Sequence, residues 1–181
     1  GKKNKDLLTG LREKQLSDVS LFIDNSLPAC MPDCQGASLR DAFLAGLDLS
    51  HANLTDADLS YANLRYAKMY FANLTGANLT GADMFFVVLS RAVLAGQDLS
   101  GADLRHADLR GADLTQARMF SADLRGANLT DANLSGTDLN SAHLTEADLT
   151  GAQLTGADLN GPISWWYTIC PDGTKNSGTS P

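Results

Sequence analysis

Every fifth residue from Leu39 to Leu159 is Leu, except for Met69, Met84 and Met119. Two residues before each stands Ala, with only Leu47, Val87, Gln97 and Thr137 departing from it. The residue between is usually Asp or Asn, as in Ala-Asp-Leu-Arg-Gly at 122–126. In extended chain alternate side chains share a face, so the Ala and the Leu point inward while the residue between them points out. From each Leu to the next Ala is an odd step, which would turn that Ala outward in continuous strand. The chain must therefore bend once per unit. A regularly bending chain with Leu on its axis, and Ala allowing close approach, describes a narrow tube of stacked coils.

The number of sides follows from the outward residues, because stacked coils place like beside like. A 20-residue period gathers Thr55, Thr75, Ala95, Thr115, Ser135 and Thr155 into one column of small residues. A 15-residue period would instead mix Thr55, Tyr70, Phe85 and Ser100. Four sides are predicted. The unit Ala-(Asp/Asn)-Leu-x-x, unbroken over residues 37–161, resembles the pentapeptide-repeat family. That resemblance implies an all-β fold, a right-handed parallel quadrilateral β-helix. The repeat then makes about six coils, a solenoid roughly 30 Å long at about 4.8 Å per coil.

An open coil end exposes core and unpaired backbone, so both ends are expected to carry caps. In residues 1–36, Leu7, Leu8, Leu11, Leu16, Val19, Leu21, Phe22 and Ile23 recur partly at helical spacing and predict a part-helical cap and lead-in. In residues 162–181, Ile163, Trp165, Trp166, Tyr167 and Ile169 are expected to cap the last coil, and the polar stretch from Pro171 reads as a disordered tail. The competing reading makes those aromatics a dimer interface, as C-terminal segments do in some members of the family resembled. Capping, and with it a monomer, is the preferred reading.

Charge narrows the partners. The whole net charge of −7 falls within the repeat, which disfavours direct binding to nucleic acid. No apolar run approaches the roughly 18 residues of a membrane-spanning helix. Cys34 lies one unit before Leu39 and reads as a core residue of a first degenerate unit, with a Cys30–Cys34 disulfide as the alternative. A disulfide would imply an oxidising compartment. Similarity to exported family members around the Cys pair points to the periplasm or thylakoid lumen, with the cytoplasm as the alternative, and the absence of an initial Met reads as a signal removed or never present. His51, His106 and His143 fall on separate coils or sides, so no metal site is expected. The recurrent Asp residues line a convex wall without a cleft. No enzyme activity and no cofactor are expected.

The informative departures from the repeat lie between Tyr61 and Val93. There Tyr61, Tyr66, Tyr70, Phe71, Phe85 and Phe86 replace the small and polar outward residues found elsewhere, and the 20-residue period stacks Tyr66 on Phe86 and Phe71 on Arg91. One reading is a set of ladders that only stiffen a sheet. The other is a partner-binding patch of aromatics with Arg beside them. The expected function is a non-catalytic scaffold docking an unidentified protein through this patch. The alternative follows from family members that inhibit or protect type II topoisomerases as acidic imitations of duplex DNA, although Arg65, Arg105, Arg110, Arg118 and Arg125 interrupt the acidic columns here. Gln97 and Thr137, polar at inward positions, are expected to bond to local backbone.

Overall fold

The computed structural model describes residues 28, 30–161 and 164–175. The expected helical lead-in over 1–27, Ile163 and the end of the expected tail at 176–181 lie outside them. The described chain coils into a four-sided tube. Outward positions pair in parallel with those twenty residues on, from Asp33 with Asn53 to Asp138 with Asp158. In the coil opening at Ala57, wall one is 57–59, wall two 62–64, wall three 67–69 and wall four 72–74, and each wall recurs every 20 residues.

The bend required once per unit is a four-residue turn. The Ala62 N–H donates to the Leu59 carbonyl at 3.0 Å, and the residue before that Ala, Tyr61, has φ +59°. This left-handed position recurs at every corner, at Tyr66, Phe71, Phe86 and Arg91 among others. Inside the tube the Leu side chains are sealed from solvent, as at Leu44, Leu64, Leu104 and Leu124. Each such Leu contributes about 1.5–3 kcal/mol by burial.

Outside, each wall is locked by its Asp or Asn. Asp58 Oδ1 accepts the Ser60 N–H at 3.0 Å and its hydroxyl at 2.6 Å, and Asp113 does the same for Thr115. This local bond is the physical reason for the Asx-x-Ser/Thr rhythm. Hydrogen bonds from Ser60 hold the Asp58 carboxyl below its ordinary range.

Gln97 and Thr137 both turn into the core and donate to a carbonyl of the preceding coil. Gln97 Nε2 reaches Leu74 O at 2.6 Å, and Thr137 Oγ1 reaches Leu114 O at 2.8 Å. The longer amide has a consequence that the hydroxyl lacks. Asp138 still pairs with Arg118 beside Thr137, whereas Asn78 and Asp98 do not pair beside Gln97. One coil earlier, Leu59 and Tyr61 donate to the carbonyls of Asn78 and Thr80; Leu79 and Gly81 have no such partner among the described residues. A cavity of about 380 Å³, lined by Thr80, Gly81, Asp83, Asp98, Ser100 and Asp103, opens along this seam across walls one and two.

Beyond Gly161 the step becomes 21 residues, pairing His143 with Ser164 and Asp148 with Ile169. Trp165 thereby enters the Leu slot and Thr168 the Ala slot, while Trp166 and Tyr167 fall on a corner and are exposed. The expected aromatic cap is thus divided: Trp165 plugs the tube, and the next two rings face solvent. The stretch expected to be disordered begins instead as an ordered turn. Cys170 N–H donates to Thr174 O at 2.8 Å, and Asp172 bonds the Thr174 N–H and hydroxyl. At the other end Cys34 occupies a sealed core slot and is also joined to Cys30 by a disulfide, with Cα atoms 4.8 Å apart.

Candidate protein-docking wall

Corner side chains lean toward the C-terminal end of the rod, over the residue twenty positions on. Where that residue is Gly the side chain lies down on it, as the Tyr61 ring lies on Gly81 and the His106 ring on Gly126. Where it is not, rings stack. On the corner between walls two and three, Tyr66 stacks on Phe86 at 5.4 Å between centroids, and Phe86 on His106 at 4.7 Å. Phe85 meets Phe86 edge-on at 4.6 Å. The guanidinium groups of Arg65 and Arg105 lie 4.4 and 5.1 Å from the Phe85 ring centre. Both are anchored by carboxylates, Arg65 by Asp83 and Arg105 by Asp103. The bond from Arg105 holds the Asp103 carboxyl below its ordinary range, and Asp103 in turn raises the Arg105 pKa.

On the next corner, between walls three and four, His51 stacks on Phe71 at 5.1 Å, and the Arg91 guanidinium lies 5.6 Å from the Phe71 centroid. Tyr70 stands beside them, partly exposed. Wall three therefore runs between two ladders of rings. Its outward residues here are Lys68, Val88 and Asp108. Neither Lys68 nor Val88 can supply the carboxylate oxygen that Asp58 and Asp113 supply on walls one and four. As a result the Ser90 hydroxyl, two residues after Val88, is buried with no hydrogen-bond partner.

The structure thus gathers Tyr66, Tyr70, Phe71, Phe85, Phe86 and Arg91 around wall three. It leaves Tyr61 apart, on the corner between walls one and two with Arg40 over its ring at 4.9 Å. Phe43 and Phe120 are also exposed, away from these ladders. Sequence reasoning missed His51 and His106, which it weighed only as metal ligands, as the ends of the two ladders. The signal was present in the same 20-residue count that paired Tyr66 with Phe86. On wall two the acidic column is offset by cations: Arg65 bonds Asp83, and Arg105 and Arg125 bond Asp103 and Asp123.

A convex rod of stacked repeats with rings along one wall defines a repeat scaffold. The chain belongs to the pentapeptide-repeat family. The pentapeptide-repeat model matches it in eight copies, over residues 33–69, 57–84, 88–126 and 122–161, and the fold is the family's right-handed quadrilateral β-helix. The chain is similar to HetL, a pentapeptide-repeat protein involved in heterocyst differentiation regulation in the cyanobacterium Nostoc, at 35% identity over 80% of this chain and 76% of that one, with a TM-score of 0.35. It is similar to QnrB1, a plasmid-mediated fluoroquinolone resistance protein, at 26% identity over 70% of this chain and 62% of that one, with a TM-score of 0.54. It is also similar to Rfr23 from the cyanobacterium Cyanothece, at 28% identity over 74% of this chain and 91% of that one, with a TM-score of 0.34. No curated protein matches the chain.

Proposed function

We propose that this protein is a rigid, non-catalytic scaffold that docks a protein partner on wall three. The observation that carries the reading is the pair of ring ladders flanking a wall whose centre has given up its Asx lock. Tyr66, Phe71 and Phe86 stand at corner positions with φ between +55° and +59°, where Gly is the least strained residue and side chains cost about 1–2 kcal/mol. Elsewhere on the rod Gly46, Gly76, Gly96 and Gly126 fill such corners. Large exposed rings with Arg beside them, held in place by stacking, have the composition of interface anchors, and their rigidity lowers the entropy lost on binding. The stiff Leu-filled tube keeps them in position.

The alternative reading, an acidic rod imitating DNA, has less support. A run of free carboxylates would serve it, whereas Asp83, Asp103 and Asp123 are all engaged by Arg side chains.

The test is a photo-crosslinking residue placed singly at Tyr66, Phe71 or Phe120 and exposed to native extract. The same discrete adduct from the first two, and none from Phe120, is the expected result. Equal adducts from all three, or one from Phe120 alone, would remove wall three as the docking surface.

A further inference from the structure

Within the repeat, nearly every cation has a carboxylate within 4 Å: Arg40 has Asp41, Arg65 has Asp83, Arg105 has Asp103, Arg110 has Asp108, Arg118 has Asp98 and Arg125 has Asp123. Among the described residues of the repeat, the two cations without such a partner are Lys68 and Arg91. Both belong to wall three and its corner. In a chain of net charge −7, the two unengaged positive groups therefore stand where the rings are exposed.

Arg91 borders a shallow hollow of about 470 Å³, lined also by Tyr70, Phe71, Ser90, Arg110, Gly111, Thr130 and Asp131. Four observations describe what it can hold. The Arg91 guanidinium rests near the Phe71 ring, which orients it and leaves its N–H donors free. Arg110 commits Nε and Nη2 to Asp108, and its Nη1 has no partner among the described residues. Ser90 is 7% exposed, and its hydroxyl has no hydrogen bond. The one acid of the lining, Asp131, directs its carboxylate over Gly151, toward the next coil and away from Arg91.

We propose that this hollow receives a carboxylate side chain from an acidic segment of the docked protein, with neighbouring apolar residues of that segment lying on the Phe71 and Phe86 ladders. The inference rests on the docking role of wall three and names the chemistry of the partner. A carboxylate satisfies guanidinium donors in charge-assisted bonds, which are about twice as strong as neutral ones. A basic segment would leave Arg91 and Lys68 opposed by like charge. The acidic walls on the other sides of the rod are screened at this corner, because the Debye length at physiological ionic strength is about 8 Å.

The probe is a set of short synthetic peptides alternating Glu or Asp with Leu and Phe, together with their Gln and Asn counterparts, titrated into the full chain and followed by amide NMR. Acidic peptides are expected to shift the Arg91 and Gly111 amides and to bind about tenfold or more tighter than the amide versions, the scale of charged hydrogen bonds. Arg91→Gln should abolish that preference, and Arg118→Gln, on wall one, should leave it intact. The proposal is overturned if no acidic peptide binds, if Gln versions bind equally, or if the preference survives Arg91→Gln. Crosslinking from Tyr66 in the Arg91→Gln background separates the two claims. Unchanged adducts, together with no acidic preference in the wild type, would leave the docking wall standing and remove its carboxylate pocket, whereas absence of adducts already in the wild type removes both.

Discussion

Gln97 Nε2 donates to the Leu74 carbonyl oxygen at 2.6 Å, and beside that bond two coils of wall one stop pairing. The same carbonyl already accepts the Ala77 N–H at 2.9 Å, so the amide adds a second bond to a satisfied group while leaving Leu79 and Gly81 N–H without their ladder partners.

Replacing Gln97 by Thr, the residue that bridges the equivalent carbonyl at Thr137 without opening the ladder, is expected to close the seam. Each restored hydrogen bond contributes about 0.5–1.5 kcal/mol net. Hydrogen exchange at Leu79 and Gly81 should slow toward that of Leu59 and Tyr61, and the denaturation midpoint should rise. Unchanged exchange at those amides would mean that Gln97 is not the wedge.

Val88→Asp should give the Ser90 hydroxyl the acceptor that Asp58 gives Ser60. The expected gain is about 1 kcal/mol from an otherwise unpaired buried group, read as a higher urea midpoint. In the same variant, capture of the partner at wall three should fall, because the new carboxylate stands beside Lys68 in the ladder and makes the wall less positive. A gain in stability without loss of capture would separate Ser90 from the docking surface.

Gly126→Ala and Gly96→Ala both place a side chain at φ near +69°, an αL penalty of about 1 kcal/mol. Only at Gly126 would the added Cβ meet a neighbour, His106 Nδ1 at 2.5 Å, while nothing lies within 4 Å of Gly96. Gly126→Ala should therefore be the more destabilising of the two in thermal melts, and a His106→Gly background should erase the difference. Equal costs in the wild-type background would contradict the leaning of corner side chains onto the next coil.

The carboxyls of Asp58, Asp98 and Asp103 are held low by hydrogen bonds from Ser60, Ser100 and Arg105, respectively. For Asp123 burial opposes ionisation, but the bonds from Arg125 prevail and its pKa is also lowered. A group whose folded pKa lies below its unfolded value of about 3.9 contributes stability that is fully present above that value and lost as pH falls through the folded one. From these groups, stability should be level at neutral and mildly acidic pH and should decline below about pH 4. Urea midpoints across that range test it, and Asp103→Asn should make the decline shallower.

Much of the fold was legible in the chain because the core packs against copies of itself. Leu at every fifth position and Ala two residues earlier serve one steric role in each coil, so the register of Leu39 to Leu159 could be counted without knowing any contact. The pairs Tyr66–Phe86 and Phe71–Arg91 were legible for the same reason. His51 and His106 obeyed the same count, but their residue type drew attention to metal chemistry and away from stacking.

What the sequence by itself determined was the period, the four sides, the inward and outward faces and the columns in which outward residues meet, all consequences of strand alternation and one bend per unit. The tertiary structure alone decided that Arg91 is left without a carboxylate, since that depends on the direction in which corner side chains lean. It also decided that Gln97 parts the ladder where Thr137 does not, and that Trp165 enters the tube while Trp166 and Tyr167 remain outside. Those outcomes turn on side-chain length and on a one-residue change of step beyond Gly161, which only packed neighbouring coils convert into a gap, a plug or an exposed ring.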